Sequence, residues 1–304
     1  MVRDLGTSLL GHDLKNPVIP ASGTFGFGWE FAEYYDIDIL GSMSLKGTTA
    51  EARYGNPLPR IAECTAGLIN AIGLQNPGVK AVIEEEIPRL SRVYHDKVIA
   101  NVGGHSVEEY VMTASAFNTC DKVFAVELNI SCPNVKGGGM AFGTDPEIAK
   151  NLVYEVKKSV TKPLIVKLSP NVTSIADMAR AVADGGADAV SLINTLVGMR
   201  IDLRTRKPVI SVRTGGFSGP AVFPVAVRMV SEVARAVSLP VVGIGGVSSA
   251  RDGIEMMMAG ACPVQGGAAN PGDPFACHRT TAELPSGLGD LTLNPLKELI
   301  GVAT

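Results

Sequence analysis

The feature that most constrains this chain is an alternation. Short apolar runs give way to longer segments with helical periodicity, again and again, from near Val18 to near Gly267. Strands are predicted near 18–21, 40–46, 98–102, 125–129, 164–168, 189–193, 241–244 and 263–266. Helices are predicted near 29–35, 78–90, 106–119, 145–160, 173–185, 222–237, 248–259 and 273–283. Asp145-Pro146 is the plainest helix start, an N-cap residue followed by proline at the first helical position. Regular alternation of β and α implies a parallel sheet. Eight such units within about 250 residues match the size of a closed barrel. Aromatics are only 5% of a chain that is 46% hydrophobic, so the core is built from Val, Ile, Leu, Ala and Met. That bias suits a helix-covered parallel sheet better than a sandwich. The expectation is an α/β fold, a TIM (β/α)8 barrel forming one domain over residues 1–304. A two-domain doubly wound fold is the alternative, and no composition break supports it.

Two stretches interrupt the alternation, 47–77 and 194–219, and Val209–Val212 in the second reads as an extra strand. Both follow strand C-termini, where barrel enzymes place their chemistry. They are expected as insertions at that face. The net charge of −3, without a Lys/Arg-rich run, gives no support to nucleic-acid or anionic-membrane binding. The N-terminus has no apolar leader and the chain no long apolar span, so membrane anchoring and secretion are not expected. Five scattered cysteines (64, 120, 132, 262, 277) form no CxxC pair. A reducing, cytoplasmic location without disulfides is the simple reading. The histidines (12, 95, 105, 278) lack metal-ligand spacing, so no metal is expected.

Function is legible at the strand ends. Ser22 follows the first strand, and Lys46, Asn101, Asn129, Lys167 and Asn194 end the next five. A closed barrel gathers these groups at one mouth. Lys and Asn are costly to bury without partners, so the gathering points to a polar ligand. Gly245-Gly246 after strand seven and Gly267-Ala268 after strand eight fall on the two loops where this fold binds phosphate. No strand–GxGxxG–helix unit is present, so a dinucleotide site is not indicated. Cys132, just past the fourth strand beside Asn129 and Ser131, can reach the same mouth. The glycines that follow it at 137–139 suit a lid. The other four cysteines read as small core residues, and His105 as a loop residue.

Blocks of this sequence resemble the dihydroorotate dehydrogenases. They are Pro20-Ala21-Ser22-Gly23-Thr24-Phe25-Gly26, Lys46-Gly47-Thr48-Thr49 and Asn70-Ala71-Ile72-Gly73-Leu74-Gln75-Asn76-Pro77-Gly78. Further along come Asn129-Ile130-Ser131-Cys132-Pro133-Asn134, Lys167-Leu168-Ser169-Pro170-Asn171 and Ile193-Asn194-Thr195. The last are Gly215-Gly216-Phe217-Ser218-Gly219-Pro220 and Gly243-Ile244-Gly245-Gly246-Val247. Cysteine rather than serine at 132, no membrane-binding extension and the run from Gly137 to Asp145 resemble the NAD-linked class 1B.

The resemblance implies oxidation of dihydroorotate to orotate in pyrimidine (UMP) biosynthesis. Cys132 would take the C5 proton while the C6 hydride passes to FMN. It implies a partner subunit carrying FAD and a 2Fe–2S cluster, two of each chain forming a heterotetramer, with NAD as final acceptor. Lys46, Asn70, Ala71, Ile72, Gly73, Leu74, Asn129, Asn194 and Thr195 would hold the substrate. Ser22, Lys46, Gly47, Asn101, Asn129, Lys167, Ile193 and Gly219 would line the flavin, with Lys167 near its ring. Gly245, Gly246, Gly267 and Ala268 would hold its phosphate. Strand eight departs from the family pattern. Pro263 is expected to remove a ladder donor, Gly266 offers the core no side chain, and Ala268 lacks the usual hydroxyl. Weaker FMN binding is therefore expected. The competing readings are a dihydropyrimidine dehydrogenase-type flavin barrel acting on dihydrouracil or dihydrothymine, and a non-catalytic scaffold barrel.

Overall fold

The structure is a computed structural model that describes residues 5–131, 142–290 and 296–304. The chain opens with a hairpin, β1 (Thr7–Leu9) against β2 (His12–Leu14), followed by the first barrel strand, β3 (Val18–Pro20). A second hairpin follows, β4 (Ile61–Cys64) and β5 (Gly67–Asn70). The expected helix at 78–90 is divided into α1 (Val79–Ala81), a π-helical turn (Val82–Glu86) and α2 (Ile87–Leu90). Pro88, near the start of α2, has no N–H to give the preceding turn, which accounts for the break. Next come β6 (Val98–Val102), α3 (Val107–Ala116), β7 (Val123–Asn129), α4 (Pro146–Lys157), β8 (Leu164–Lys167) and α5 (Ile175–Asp184). They lead to β9 (Ala189–Leu192) and four short strands, β10 (Leu196–Gly198), β11 (Ile201–Asp202), β12 (Lys207–Pro208) and β13 (Gly215–Ser218). Then come α6 (Phe223–Ala236), β14 (Val241–Ile244), α7 (Ala250–Met258), β15 (Val264–Gly266) and α8 (Ala276–Asp290), with a 3-10 turn at Leu296–Glu298 last among the described elements.

Seven of these strands form one parallel sheet in the order β3-β15-β14-β9-β8-β7-β6. The eighth position belongs to the expected strand at 40–46, which pairs on both sides without becoming a regular strand. Toward β3, Gly41 N donates to Val18 O and Ser44 N to Pro20 O, both at 3.1 Å. Toward β6, Leu45 N donates to Ile99 O and Ile99 N to Met43 O, both at 2.9 Å. Three residues of this segment thus match two of β3. The extra residue interrupts the ladder as a bulge does, and the curled sheet is closed by hydrogen bonds into a TIM-type α/β barrel.

The helices form where the sequence supplies a cap and an apolar stripe. Asp145 accepts from Ile148 N at 3.0 Å, Pro146 opens α4, and Ala149, Leu152, Val153 and Val156 are buried at helical spacing. Ser106, Ser174 and Ser249 cap α3, α5 and α7 by the same device, each accepting from the N–H three residues on at 3.2 Å. Near residues 29–35 only a 3-10 turn forms, Trp29–Glu33. It is confined between Gly28, at φ +94°, and the next turn beginning at Ile37.

Inside the barrel, Ile19, Ile99, Ala125, Ile165, Ala189 and Val242 make an apolar layer toward the N-terminal ends of the strands. Leu9 and Leu14 of the first hairpin pack into it and plug that end. This hairpin lies ahead of the predicted alternation. The two interruptions, 47–77 and 194–219, turn out to be one structure. β10, β13, β5 and β4 pair in that order as a single antiparallel sheet, with Gly216 opposite Asn70. The strand expected at Val209–Val212 does not form. The strand is Gly215–Ser218 instead, because a close approach selects for glycine: a Cβ at Gly215 would stand 2.5 Å from Asn70 O. Contact overrides the β-propensity of the Val209–Val212 run.

Strand eight is also better fitted than its sequence suggests. Pro263 precedes β15, so no ladder donor is lost from the strand, and its carbonyl accepts from Gly243 N at 3.0 Å. Gly266 is required by packing, since a Cβ there would meet Cys277 Sγ at 2.8 Å. Among the described residues no helix is long and apolar enough to cross a membrane.

Candidate active site

The C-terminal ends of the barrel strands and the antiparallel sheet above them enclose a cavity of about 900 Å³, toward the upper end for small-molecule and cofactor sites. Its lining includes Ser22, Lys46, Gly47, Asn101, Asn129, Lys167, Ile193, Asn194, Thr195, Gly245, Gly246, Gly267 and Ala268. The block Asn70, Ala71, Ile72, Gly73 and Leu74 lines it as well. Eighteen of the residues expected at the site are thus brought to one cavity. Gly219 is not among the lining residues; the wall there is Ser218. Gly219 lies behind it, at φ +118°, where a Cβ would press on Gly67 Cα at 2.5 Å. Its glycine is explained by that contact. Cys132 and the glycines at 137–139 fall outside the described residues.

The floor is set by strand register. β6, β7 and β8 are parallel with Asn101 opposite Glu127 and Asn129 opposite Lys167, which brings these polar strand ends side by side. Asn129 Oδ1 accepts from Asn194 Nδ2 at 3.0 Å and from Ser131 N at 3.3 Å. Asn194 Oδ1 in turn accepts from Thr195 N at 2.8 Å. With both oxygens occupied, the Asn129 amide offers the cavity its donors. Asn101 is 1% exposed. Its Nδ2 donates to Glu127 Oε2 at 2.6 Å, and its Oδ1 has no partner among the described residues.

Lys46 sits in the wall beside Gly47. Burial holds its ammonium below the usual lysine range, and the positive charge of Arg60 pushes the same way. Its charged form gains from an anionic ligand.

Several lining residues were not foreseen. Arg53 and His105 lie together at the rim, hydrogen-bonded, with Arg53 Nη2 also 2.9 Å from Glu109 Oε1. His105 is therefore a wall residue as well as a loop residue. Burial lowers its pKa, and Arg53 lowers it further against the opposing pull of Glu109. Both effects favour the neutral ring, in which Nε2 accepts from Arg53. Asn171 joins the wall with Nδ2 on Thr195 O at 3.0 Å and Oδ1 accepting from Val197 N at 2.9 Å. It belonged to a motif noticed in sequence without a role attached. Glu127, beneath the floor rather than in the lining, is the lone acid of the apolar strand β7. Arg53 carried no comparable signal.

The two glycine turns meet at one end of the cavity. Gly245 and Gly246 have φ of +123° and +78°. A Cβ at Gly246 would lie 2.7 Å from Phe223 Cβ and 2.9 Å from Gly219 O, so a side chain there would be strained as well as crowded. The following helix, α7, begins at Ala250 behind its Ser249 cap, two residues after the expected start near 248. Beside Gly267, Asn270 Nδ2 ties Gly266 O to Thr24 Oγ1, both at 3.2 Å, which joins the last and first barrel loops. The residues present fit FMN. They provide a glycine cradle at one end, an unpartnered buried acceptor in the floor, and two lysines in the walls.

A sequence profile of the dihydroorotate dehydrogenase family matches residues 4–288 of the chain. A protein of Enterococcus faecalis named dihydroorotate dehydrogenase B (NAD(+)), catalytic subunit, is 52% identical over 300 residues, covering 99% of this chain and 96% of its own. A protein of the same name from Anoxybacillus flavithermus is 54% identical over 297 residues, covering 98% of this chain and 95% of its own. That of Bacillus pumilus is 52% identical over 297 residues.

Proposed function

The chain belongs to the dihydroorotate dehydrogenase family, and from that premise we propose that it oxidises dihydroorotate to orotate as the catalytic subunit of an NAD-linked enzyme of pyrimidine biosynthesis. The observation that carries this reading is the cavity itself. Asparagine amides, two lysines and two glycine turns converge at one barrel mouth under a roof made from both insertions. FMN, when bound, supplies the acceptor for the hydride from C6 of the substrate.

The protein's share is to bind, orient and move one proton. Cys132 takes the proton from C5 as general base. Lys46, in the charged form that an anionic ligand favours, meets the substrate carboxylate. Asn70 and Thr195 face each other across the roof through Gly216. Asn70 Nδ2 lies 3.4 Å from Gly216 O, and a Cβ on Gly216 would stand 2.0 Å from Thr195 Oγ1. With Asn129 and Asn194 they hold the ring amides and carboxylate. Lys167 lies at the flavin ring, while Ser22, Gly47, Asn101 and Ile193 line it, and Gly245, Gly246, Gly267 and Ala268 take its phosphate. Gly219 supports this cradle from behind. The chain works as one domain in the cytoplasm. It pairs with an electron-transfer subunit carrying FAD and a 2Fe–2S cluster, two copies of each, which passes electrons to NAD.

The test is turnover of the isolated chain. It is expected to oxidise dihydroorotate with an artificial acceptor, to leave dihydrouracil untouched, and to reduce NAD only when the partner subunit is added. Turnover of dihydrouracil in preference to dihydroorotate gives the site to the dihydropyrimidine dehydrogenase type. Efficient NAD reduction by the isolated chain removes the need for the partner. A protein that cannot be loaded with FMN is a scaffold.

A further inference from the structure

Beneath the cavity floor the barrel holds a polar layer whose centre is Glu127, a side chain with no exposed surface. Four side chains from different barrel segments donate to it. Ser44 Oγ and Asn101 Nδ2 reach Oε2 at 2.8 and 2.6 Å. Ser191 Oγ and Gln265 Nε2 reach Oε1 at 2.7 and 3.4 Å. No lysine, arginine or histidine among the described residues forms an ion pair with it. Below the layer lies the apolar plug of Leu9, Leu14 and Ile19. A buried carboxylate that keeps its full complement of donors and faces an apolar plug is present for what it imposes on its neighbours.

What it imposes is the polarity of one amide. An asparagine side chain can present either end to a ligand, but here the Glu127 oxygen that Asn101 reaches accepts from its NH2. Glu127 therefore takes the NH2 of Asn101 and leaves its oxygen facing the other way. That oxygen borders the cavity at Gly47, where a Cβ would stand 3.0 Å from Asn101 Oδ1, and nothing among the described residues donates to it. A buried acceptor without a partner costs about 1–3 kcal/mol unless a ligand meets it. Oxidised flavin has one N–H on its ring system, at N3. We propose that Glu127 is a positioning residue for the cofactor: it locks the Asn101 amide oxygen-outward, so that the cavity floor recognises the N3–H edge of the flavin ring. This rests on the reading of the cavity as a flavin site.

The experiment titrates the full chain, stripped of flavin, with FMN and with 3-methyl-FMN, following flavin fluorescence. The wild type is expected to bind FMN at least about tenfold more tightly than the methylated flavin, the worth of one good hydrogen bond. Glu127→Met leaves the Asn101 NH2 without its acceptor and frees the amide to turn. FMN affinity is then expected to fall about tenfold, while that for 3-methyl-FMN stays near its wild-type value. The double variant Asn101→Asp with Glu127→Gln exchanges carboxyl and amide between the two positions and restores an outward acceptor. It is expected to regain both tight FMN binding and the preference over 3-methyl-FMN, which a purely structural role for Glu127 would not produce.

Equal binding of the two flavins by the wild type overturns the proposal and leaves the flavin reading standing. So does wild-type FMN affinity with preserved preference in Glu127→Met. If Glu127→Met does not fold, the double variant decides alone: retained preference supports the proposal and lost preference overturns it. A wild type that binds neither flavin overturns the flavin reading itself.

Discussion

Replacing Asn76 by alanine is expected to cost about 2–4 kcal/mol of stability and to loosen the substrate side of the cavity at the same time. The side chain is 6% exposed and makes four hydrogen bonds. Its Oδ1 accepts from Thr49 N at 3.2 Å and Gly78 N at 2.9 Å, and its Nδ2 donates to Thr49 Oγ1 at 2.8 Å and Leu74 O at 2.7 Å. Each is worth about 1 kcal/mol net, and alanine also leaves two backbone N–H groups and one carbonyl without partners. Water entering the space offsets part of the loss, which sets the lower bound. Thr49 Oγ1 keeps its bond to Glu51 O at 2.7 Å and adds little to the cost.

The functional effect follows from Leu74. It lies at φ +55°, a left-handed conformation that costs a branched residue about 1–2 kcal/mol, and its carbonyl is held by Asn76. Without that hold, the Asn70–Leu74 wall relaxes away from its place over the cavity. Urea unfolding followed by Trp29 fluorescence gives the stability change, and titration with orotate gives the second readout. A loss below about 1 kcal/mol with an unchanged orotate constant would refute this account of the wall.

Three further outcomes are expected. Cys132→Ser keeps FMN but loses about 10²–10⁴-fold of flavin bleaching at pH 7 when mixed rapidly with dihydroorotate, partly restored at high pH; wild-type bleaching in the variant removes Cys132 from the mechanism. Burial and Arg60 lower the Lys46 pKa, so its charge is lost, as pH rises, below the ordinary lysine range. Orotate affinity in calorimetric titrations should therefore decline with rising pH before the ordinary lysine value of about 10.4 is reached, with no such component in Lys46→Met; identical pH profiles for the two proteins would rule this out. Ala268→Thr, which adds a hydroxyl at the end of the cavity near Gly267, should lower the FMN dissociation constant, by at most the worth of one hydrogen bond to a charged group, about 1.5–3 kcal/mol; an unchanged constant places the phosphate away from this residue.

Much of the barrel was legible because its signals are local. The buried runs of β6, β7, β8 and β9 and the capped helices between them announce themselves within ten or fifteen residues. Lys46, Asn101, Asn129 and Lys167 stood out as polar residues closing apolar runs. What escaped was decided at long range. Nothing near Gly67–Asn70 says that this strand pairs with Gly215–Ser218, nearly 150 residues away, and the Gly-Gly pair there has poor strand propensity until Asn70 and Thr195 are in place against it. Gly266 read as a defect because Cys277, which forbids a side chain there, sits on the following helix. Arg53 and His105 meet across 52 residues and belong to no motif.

The two halves of the cavity are held by different means, and this bears on how the site can vary. Asn101 and Lys167 stand on barrel strands, above a layer in which every donor to Glu127 comes from a different segment, so a change at any of them is felt across the barrel. Asn70 and Thr195 belong to the roof, which reaches out into solvent: Tyr54 is 94% exposed and Val197 52%. The roof is held in part by single side-chain clamps such as Asn76. Substitution there reshapes the wall over the substrate while the parallel ladder and the apolar plug of Leu9 and Leu14 remain intact. On the proposed assignment, cofactor binding is therefore tied to the stability of the barrel, and the share of substrate choice that rests on Asn70 and Thr195 is not. Variants selected for a different dihydropyrimidine should accumulate in 47–77 and 194–219 and leave Ser44, Asn101, Glu127, Ser191 and Gln265 unchanged.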